Sequence, residues 1–251
     1  MSTSCRAAGR SPPWWRQRSP AGGAPEQRLD LAAERHGLTL ATDDELYAAI
    51  EDPSGTALDL KDVDLVLSFL FWKRIRRPLI ALGRVGCLNF HPAPLPDMRG
   101  MGGYNVAIVE GREEWGVSAH FVDEQFDTGD FVQVDRFAID AQAETALSLD
   151  IKSQEHLLTV FGAVTDLALA GQELPRTPQG EGRYVTREEF EALRRVQPDD
   201  PPELIERRIR AFWYPPYDGA TIELVGRTLT LVDRALLEQV AATNRAAGMF
   251  P

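Results

Sequence analysis

Three side chains in this sequence have the types and spacing for acyl-group chemistry. Asn89 and His91 stand two residues apart in "LNFHPAPLPDMRG", residues 88–100, and Asp127 stands in "DEQFDTGD", residues 123–130. An imidazole titrates near neutrality and can move a proton. A carboxylate can orient that imidazole and favour its charged form, and an Asn amide can donate to an oxyanion as it forms. A plainer account also fits: a hydrogen-bonded histidine beside a stiff turn, and an Asp that caps its own backbone. Asp97 and Arg99 fit either a local ion pair or the lining of a pocket. Of the other three histidines, His36 and His120 read as structural, and His156 sits within a helix. An aspartic-protease reading of "DTG" would need a second such turn in an all-β chain. The G-x-S-x-G elbow of a serine hydrolase is absent, and so is the G-x-G-x-x-G of a dinucleotide fold.

The elements around these residues say how they are positioned. Pro92, Pro94 and Pro96 end any strand after His91, because proline fixes φ and lacks the amide donor. Asn89 and His91 are thereby carried to the carboxyl end of the strand "VGCLNF", where open α/β sheets bind ligands. "VDLVLSFLF", Val63 to Phe71, is nearly all apolar and suits a strand buried on both faces. Ahead of it come a short helix in "LDLAAERHGL", a brief strand in "LTLAT" and a helix capped by Thr42; "RPLIALG" gives a helical turn or two after it. Beyond the prolines, "GGYNVAIVEG" reads as a helix entered through Gly102 and Gly103. "WGVSAHFVDE" and "DFVQVDRFAI" read as strands joined through the Asp127 turn. A long helix follows, with Thr145 as its cap and Gly171 at its end. The pattern predicts an α/β fold: an open, mostly parallel sheet with flanking helices and an antiparallel addition. From Gln172 the texture becomes polar and turn-rich. A helix over "PPELIERRIRAF" and a β-hairpin around Val225-Gly226 then predict a small C-terminal unit at 183–251, after a core at 29–182.

Composition narrows the function classes. The 251 residues are 43% hydrophobic, enough for an ordinary core, and carry a net charge of -11. That balance argues against nucleic acid as a partner, which needs cations against phosphates. No apolar run is long enough to span a membrane. Two cysteines, Cys5 and Cys87, match neither a disulfide framework nor a zinc spacing, so a reduced, cytoplasmic setting without metal is expected. Residues 1–28 hold five arginines and one acid with no apolar period, and read as an irregular basic segment. Trp14 and Trp15 within it have no assigned role.

At its two motifs the chain resembles the folate-dependent formyltransferases, a family that includes methionyl-tRNA formyltransferase, glycinamide ribonucleotide transformylase and the sugar N-formyltransferases. The shared pattern is Asn89, His91 and Pro92, then Leu95 and Pro96, then Arg99 and Gly100, with Asp127 and Gly129 following in order. The resemblance runs from about Leu29 to Gly171 and implies a Rossmann-like core of the formyltransferase type. It implies transfer of a formyl group from N10-formyltetrahydrofolate to a primary amine. Asn89 and protonated His91 would stabilise the tetrahedral oxyanion, and Asp127 would hold His91 and help relay the amine's proton. The folate co-substrate would lie against Phe71, Trp72 and Arg74, against Pro94, Leu95 and Pro96, and against Val122 and Asp123.

The stretch "MGGYNVAIVEG" and the late "FWYPPYDGATIELVG" are most similar to the sugar-type enzymes. They imply a nucleotide-linked amino-deoxyhexose as acceptor, bordered by Arg99, Gly102, Gly103, Tyr104 and Asn105. Tyr104 and Asn105 fit the start of a helix equally well, and Phe71 and Trp72 fit plain core packing. A homodimer is compatible with the resemblance. The family opens with an apolar strand, and nothing in residues 1–20 reads as one. A shortened start and a catalytically impaired binding protein of the same fold are therefore the alternative expectation.

Overall fold

The computed structural model of the chain describes residues 7–8, 29–71, 73–215 and 217–246. Trp14, Trp15, Cys5 and Trp72 lie outside the described residues. The chain begins with β1 (Ala7–Ala8), which pairs in parallel with β2 (Leu40–Ala41). The pairing is two residues long and forms a two-stranded sheet of its own. Helix α1 (Leu29–Arg35) precedes β2, and Gly37 beyond it takes φ 62°. Thr42 then caps α2 (Asp43–Glu51) in a capping box with Glu45, as its position before three acidic residues predicts.

The sheet that carries the motifs has four strands in the order β3 (Leu65–Phe69), β4 (Gly86–His91), β6 (Glu114–Phe121), β7 (Phe131–Ala138). Between β3 and β4 runs the short α3 (Arg77–Ile80), and between β4 and β6 come β5 (Arg99–Gly100) and α4 (Gly103–Val109). The α/β class holds, but the balance of directions differs from expectation. β4 pairs antiparallel with β6, and β6 antiparallel with β7. The loop between β6 and β7 contains no helix to carry the chain back, so it closes an antiparallel pair. β3 lies at the edge of the described sheet, and most of its side chains are half-buried where burial on both faces was expected.

Helix α5 (Ala146–Leu169) follows, capped by Thr145 with Ser148 and left through Gly171. Beyond it lie β8 (Tyr184–Val185), α6 (Arg187–Arg194), β9 (Arg195–Val196), α7 (Pro202–Ala211), the hairpin β10 (Thr221–Leu224) and β11 (Arg227–Thr230), and α8 (Arg234–Ala246). β8 pairs in parallel with β5, and β9 with β10. Val225 and Gly226 both take positive φ, the geometry of a two-residue hairpin turn. Sequence reading passed over α6, although Thr186 caps it and two glutamates fill its first turn, and it passed over α8.

The described residues form two compact units: those up to Val66 with Ile75–Cys87, and Leu67–Arg74 with those from Leu88 onward. The second holds the main core, where Val106, Ile108, Trp115 and Leu149 are fully buried. The C-terminal elements expected as a separate unit place Val185, Val196, Ile209, Phe212 and Leu236 in this same core. Leu204 and Ile205 pack against it from α7, as their helical spacing with Ile209 predicts. No helix among the described residues is long and apolar enough to cross a membrane.

Candidate active site

The antiparallel register of β4 and β6 places Asn89 opposite His120 and His91 opposite Ser118. Residues directly opposite in a ladder share a face, so these four side chains stand together. The Ser68 hydroxyl donates to Asn89 Oδ1 at 2.8 Å, which turns the Asn89 amide nitrogen toward His120 Nε2 at 3.2 Å. His120 Nδ1 lies 2.8 Å from the Phe121 carbonyl. A carbonyl only accepts, so Nδ1 carries the proton and Nε2 accepts from Asn89. His120 is buried, with 2% of its surface exposed.

The proline run is held from the opposite strand. Ser118 Oγ accepts from the Leu95 amide at 3.0 Å and donates to the Ala93 carbonyl at 2.9 Å. This fixes the chain that follows His91, and Met98 in that loop presents its carbonyl 3.3 Å from His91 Nε2. The other nitrogen, Nδ1, faces Asp127 Oδ1 at 3.8 Å, and the same oxygen lies 3.6 Å from His120 Nε2. Asp127 therefore stands between two imidazoles, just beyond direct hydrogen-bond distance of each. It takes a left-handed φ of 55°, a conformation that Asp and Asn tolerate better than most residues. Gly129 is required beside it, because a Cβ there would collide with the Phe121 carbonyl oxygen.

Burial lowers the His91 imidazole below its ordinary value and outweighs the opposing pull of the Asp127 carboxylate. The lowered value favours a neutral resting imidazole near pH 7, whose one N–H faces the Met98 carbonyl. Burial would raise the Asp127 carboxyl, but the His120 and His91 imidazoles and the Arg99 guanidinium together hold it below the usual carboxylate range. The resting pair is a neutral imidazole facing a carboxylate.

The described residues expected to hold folate fall into three loops of the second unit, after β3, β4 and β6. Arg74, at the end of the β3 loop, donates to the Glu124 carbonyl in the β6–β7 loop and so ties the two together. Leu70 turns left-handed at the end of β3, with φ 53°. Its side chain and that of Phe126 remain exposed, apolar surface of the kind that a flat heteroaromatic ring covers. Phe71, Pro96 and Val122 are half-buried, and Pro94 and Leu95 are buried. Asp123 is used within its own loop, accepting from the Thr128 hydroxyl at 2.7 Å and the Gln125 amide at 2.9 Å. Its side chain is thus a loop cap rather than a ready ligand.

The residues expected around the acceptor are engaged differently. Gly102 turns left-handed at φ 66° where a Cβ would meet the Phe190 ring, and Gly103 packs on Trp115. The Tyr104 hydroxyl donates to Asp150 Oδ1 at 3.0 Å, and the Asn105 amide donates to the Ala211 carbonyl at 2.6 Å. All four belong to the start of α4 and its packing. Arg99 donates to Gln179 Oε1 at 2.8 Å and to the Gly180 carbonyl at 3.1 Å, while Asp97 pairs with Arg136 at 3.0 Å. The local ion pair between Asp97 and Arg99 is not formed.

Two members of the site escaped sequence reading. His120 was assigned a structural role, yet "SAH" repeats the two-residue spacing of "NFH", and antiparallel pairing of those strands brings both sets together. Ser68 carried no signal beyond its place near the end of an apolar strand.

Comparison with known proteins agrees with this fold and these motifs. Residues 38–161 match the model of the formyl transferase family. A GDP-perosamine N-formyltransferase of Brucella melitensis is 29% identical over 167 residues, covering 66% of this chain and 63% of that protein. A methionyl-tRNA formyltransferase of Pelotomaculum thermopropionicum is 31% identical over 203 residues, 77% of this chain and 61% of its own length. The chain thus spans about three fifths of the length of these curated relatives. Among solved structures, a 4-N formyltransferase from Francisella tularensis superposes with a TM-score of 0.66 at 21% identity, covering 81% of each chain. HypX from Aquifex aeolicus, solved in complex with tetrahydrofolic acid, superposes with a TM-score of 0.57 at 22% identity, covering 81% of this chain and 34% of that one. By its matched core and its ordered motifs, the chain belongs to the formyl transferase family.

Proposed function

We propose that this chain transfers a formyl group from N10-formyltetrahydrofolate to a primary amine, in the reducing cytoplasmic setting that a free, buried Cys87 suits. The observation that carries the reading is the convergence of Asn89 and His91, at the end of β4, with Asp127, in the turn between β6 and β7. The amine nitrogen attacks the formyl carbon and forms a C–N bond, leaving charge on the formyl oxygen. The Asn89 amide N–H not used on His120, and the His91 Nε2–H on turning from the Met98 carbonyl, are the donors this reading gives that oxygen. Asp127, held ionised, accepts the proton that the attacking amine must lose. Collapse then breaks the bond to N10 of the folate, and N10 takes up a proton. Holding both substrates in one cleft supplies the entropic part of the acceleration.

The linked loops at Leu70–Arg74 and 122–127 are the folate side of this reading. They offer the exposed apolar surface of Leu70 and Phe126. For the acceptor, we favour an amino group on a nucleotide-linked deoxyhexose. The likeness to an N-formyltransferase of GDP-perosamine supports it, as does a net charge of -11, unsuited to a nucleic-acid surface. Methionyl-tRNA is the second reading, favoured by the 31% identity to an enzyme of that name. Incubation with N10-formyltetrahydrofolate and a panel of amino-sugar nucleotides or charged tRNA tests both by mass spectrometry. A formyl mass gain on a sugar nucleotide is expected. A gain on methionyl-tRNA alone would replace the acceptor, and no gain with any amine despite folate binding would leave a binding protein.

A further inference from the structure

We propose that Gln179 is a positioning residue for the reaction centre, its side-chain amide locking the turn that carries Asp127 to the guanidinium of Arg99. This rests on the function proposed above. Asp127 stands 3.8 Å from His91 Nδ1 and 3.6 Å from His120 Nε2, so neither imidazole holds it by a direct hydrogen bond. Its place is therefore set by its own backbone turn, and the question becomes what fixes that turn.

The stretch between α5 and α6 answers it. This polar, turn-rich segment is fastened at both ends. Thr177 exchanges two backbone hydrogen bonds with Phe131, at 2.8 and 3.1 Å. Further on, the Arg99 amide donates to the Arg183 carbonyl at 3.0 Å and the Met101 amide to the Val185 carbonyl at 3.1 Å. Between these fastenings Gln179 bridges the two catalytic loops. Its Oε1 accepts from Arg99 Nη2 at 2.8 Å, and its Nε2 donates to the Gly129 carbonyl at 2.6 Å.

The orientation of the amide is unambiguous, because a guanidinium only donates and a carbonyl only accepts. Gly129 is two residues from Asp127 and has no room to shift toward Phe121, so holding its carbonyl holds the turn. Glutamine alone fits both partners. Glutamate would keep Arg99 but set a carboxylate against the Gly129 carbonyl, and alanine would release both.

The test uses the full chain without substrate, reading the side-chain resonances of its four histidines by NMR in wild type, Gln179→Ala and Gln179→Glu. The expected result is movement of the His91 and His120 imidazole resonances in both variants, with His36 and His156 unchanged. Unchanged resonances at all four positions, or equal movement at all four, would overturn the proposal. If Gln179→Ala does not fold, Gln179→Glu decides by the same criterion. In the formyl-transfer assay, Gln179→Ala is expected to lower kcat roughly 10–100-fold with KM within about three-fold. A wild-type kcat in that variant would overturn the proposal as well. Should wild type transfer no formyl group while the His91 and His120 resonances still move selectively, the proposed function fails and the positioning role stands.

Discussion

Two stretches of this chain carry motif-like polar residues, and the fold treats them oppositely. At the end of β4 and on the strand facing it, His91 Nδ1 and His120 Nε2 meet Asp127 Oδ1 across open distances of 3.8 and 3.6 Å. At the start of α4, the Tyr104 hydroxyl and the Asn105 amide nitrogen are engaged by Asp150 and the Ala211 carbonyl. The difference teaches that a polar side chain in a motif serves chemistry only where the fold leaves its hydrogen-bonding capacity unfilled. The first stretch is the candidate site, and the second holds a helix start to its neighbours. Backbone strain follows the same division: Leu70 and Asp127, two of the three described non-glycine residues at positive φ, flank the first.

The largest effect should fall on the site. His91→Ala and Asp127→Asn should each lower kcat by roughly 100- to 10,000-fold, the range for removing a proton-transfer group. Asparagine tolerates the left-handed turn, so Asp127→Asn should leave the melting temperature close to wild type. A large thermal loss with residual turnover near wild type would make Asp127 a structural turn residue and erase the contrast. Asn89→Ala should cost on the order of 100- to 1,000-fold in kcat, as loss of one oxyanion donor does.

The helix start should respond in stability instead. Asn105→Ala leaves the Ala211 carbonyl without its donor and should destabilise the fold by about 1–3 kcal/mol in a denaturant melt. Its KM for the acceptor should stay within about two-fold, and a tenfold rise in that KM would put Asn105 back in the acceptor site.

Acidity sharpens the comparison further. His91 titrates below its ordinary value in the folded chain. The unfolded chain therefore binds more protons as pH falls below about 6.5, and stability declines through that window toward the folded value. Asp127 adds stability that is present above the usual carboxylate range and lost as pH falls through its depressed value. Because the Asp127 charge pulls His91 upward, Asp127→Asn should move the His91 titration lower still. An NMR titration reads this, and an upward shift would contradict the assigned coupling. The smallest effect lies far from both regions. Val225 is fully exposed with φ 51°, so Val225→Asn should stabilise the hairpin by about 0.5–1 kcal/mol in the same melt.

Much of this was legible in the sequence because local rules decided it. Thr42 and Thr145 cap their helices, the prolines end β4, and Gly102, Gly111 and Gly171 bound helices at positive φ, all readable from neighbours in the chain. Asn89, His91 and Asp127 were found through residue type and a family pattern. What was missed depended on register and on distant partners. His120 joins the site only because β6 runs antiparallel to β4, and periodicity within one strand carries no information about its neighbour's direction. Tyr104 and Asn105 were ambiguous because Asp150 and Ala211, which claim them, lie far along the chain. Gln179 sat in a stretch that reads only as polar turns.

The central claim is that Asn89, His91 and Asp127 move a formyl group between two nitrogens. It is tested most directly with N10-formyltetrahydrofolate carrying an isotope-labelled formyl carbon, followed by NMR in the presence of an amino-sugar nucleotide. The label should leave N10 and appear as a formamide on the sugar with wild-type protein, and remain on N10 with Asp127→Asn. Label transfer at equal rates with both proteins, or free formate in place of the formamide, would contradict it.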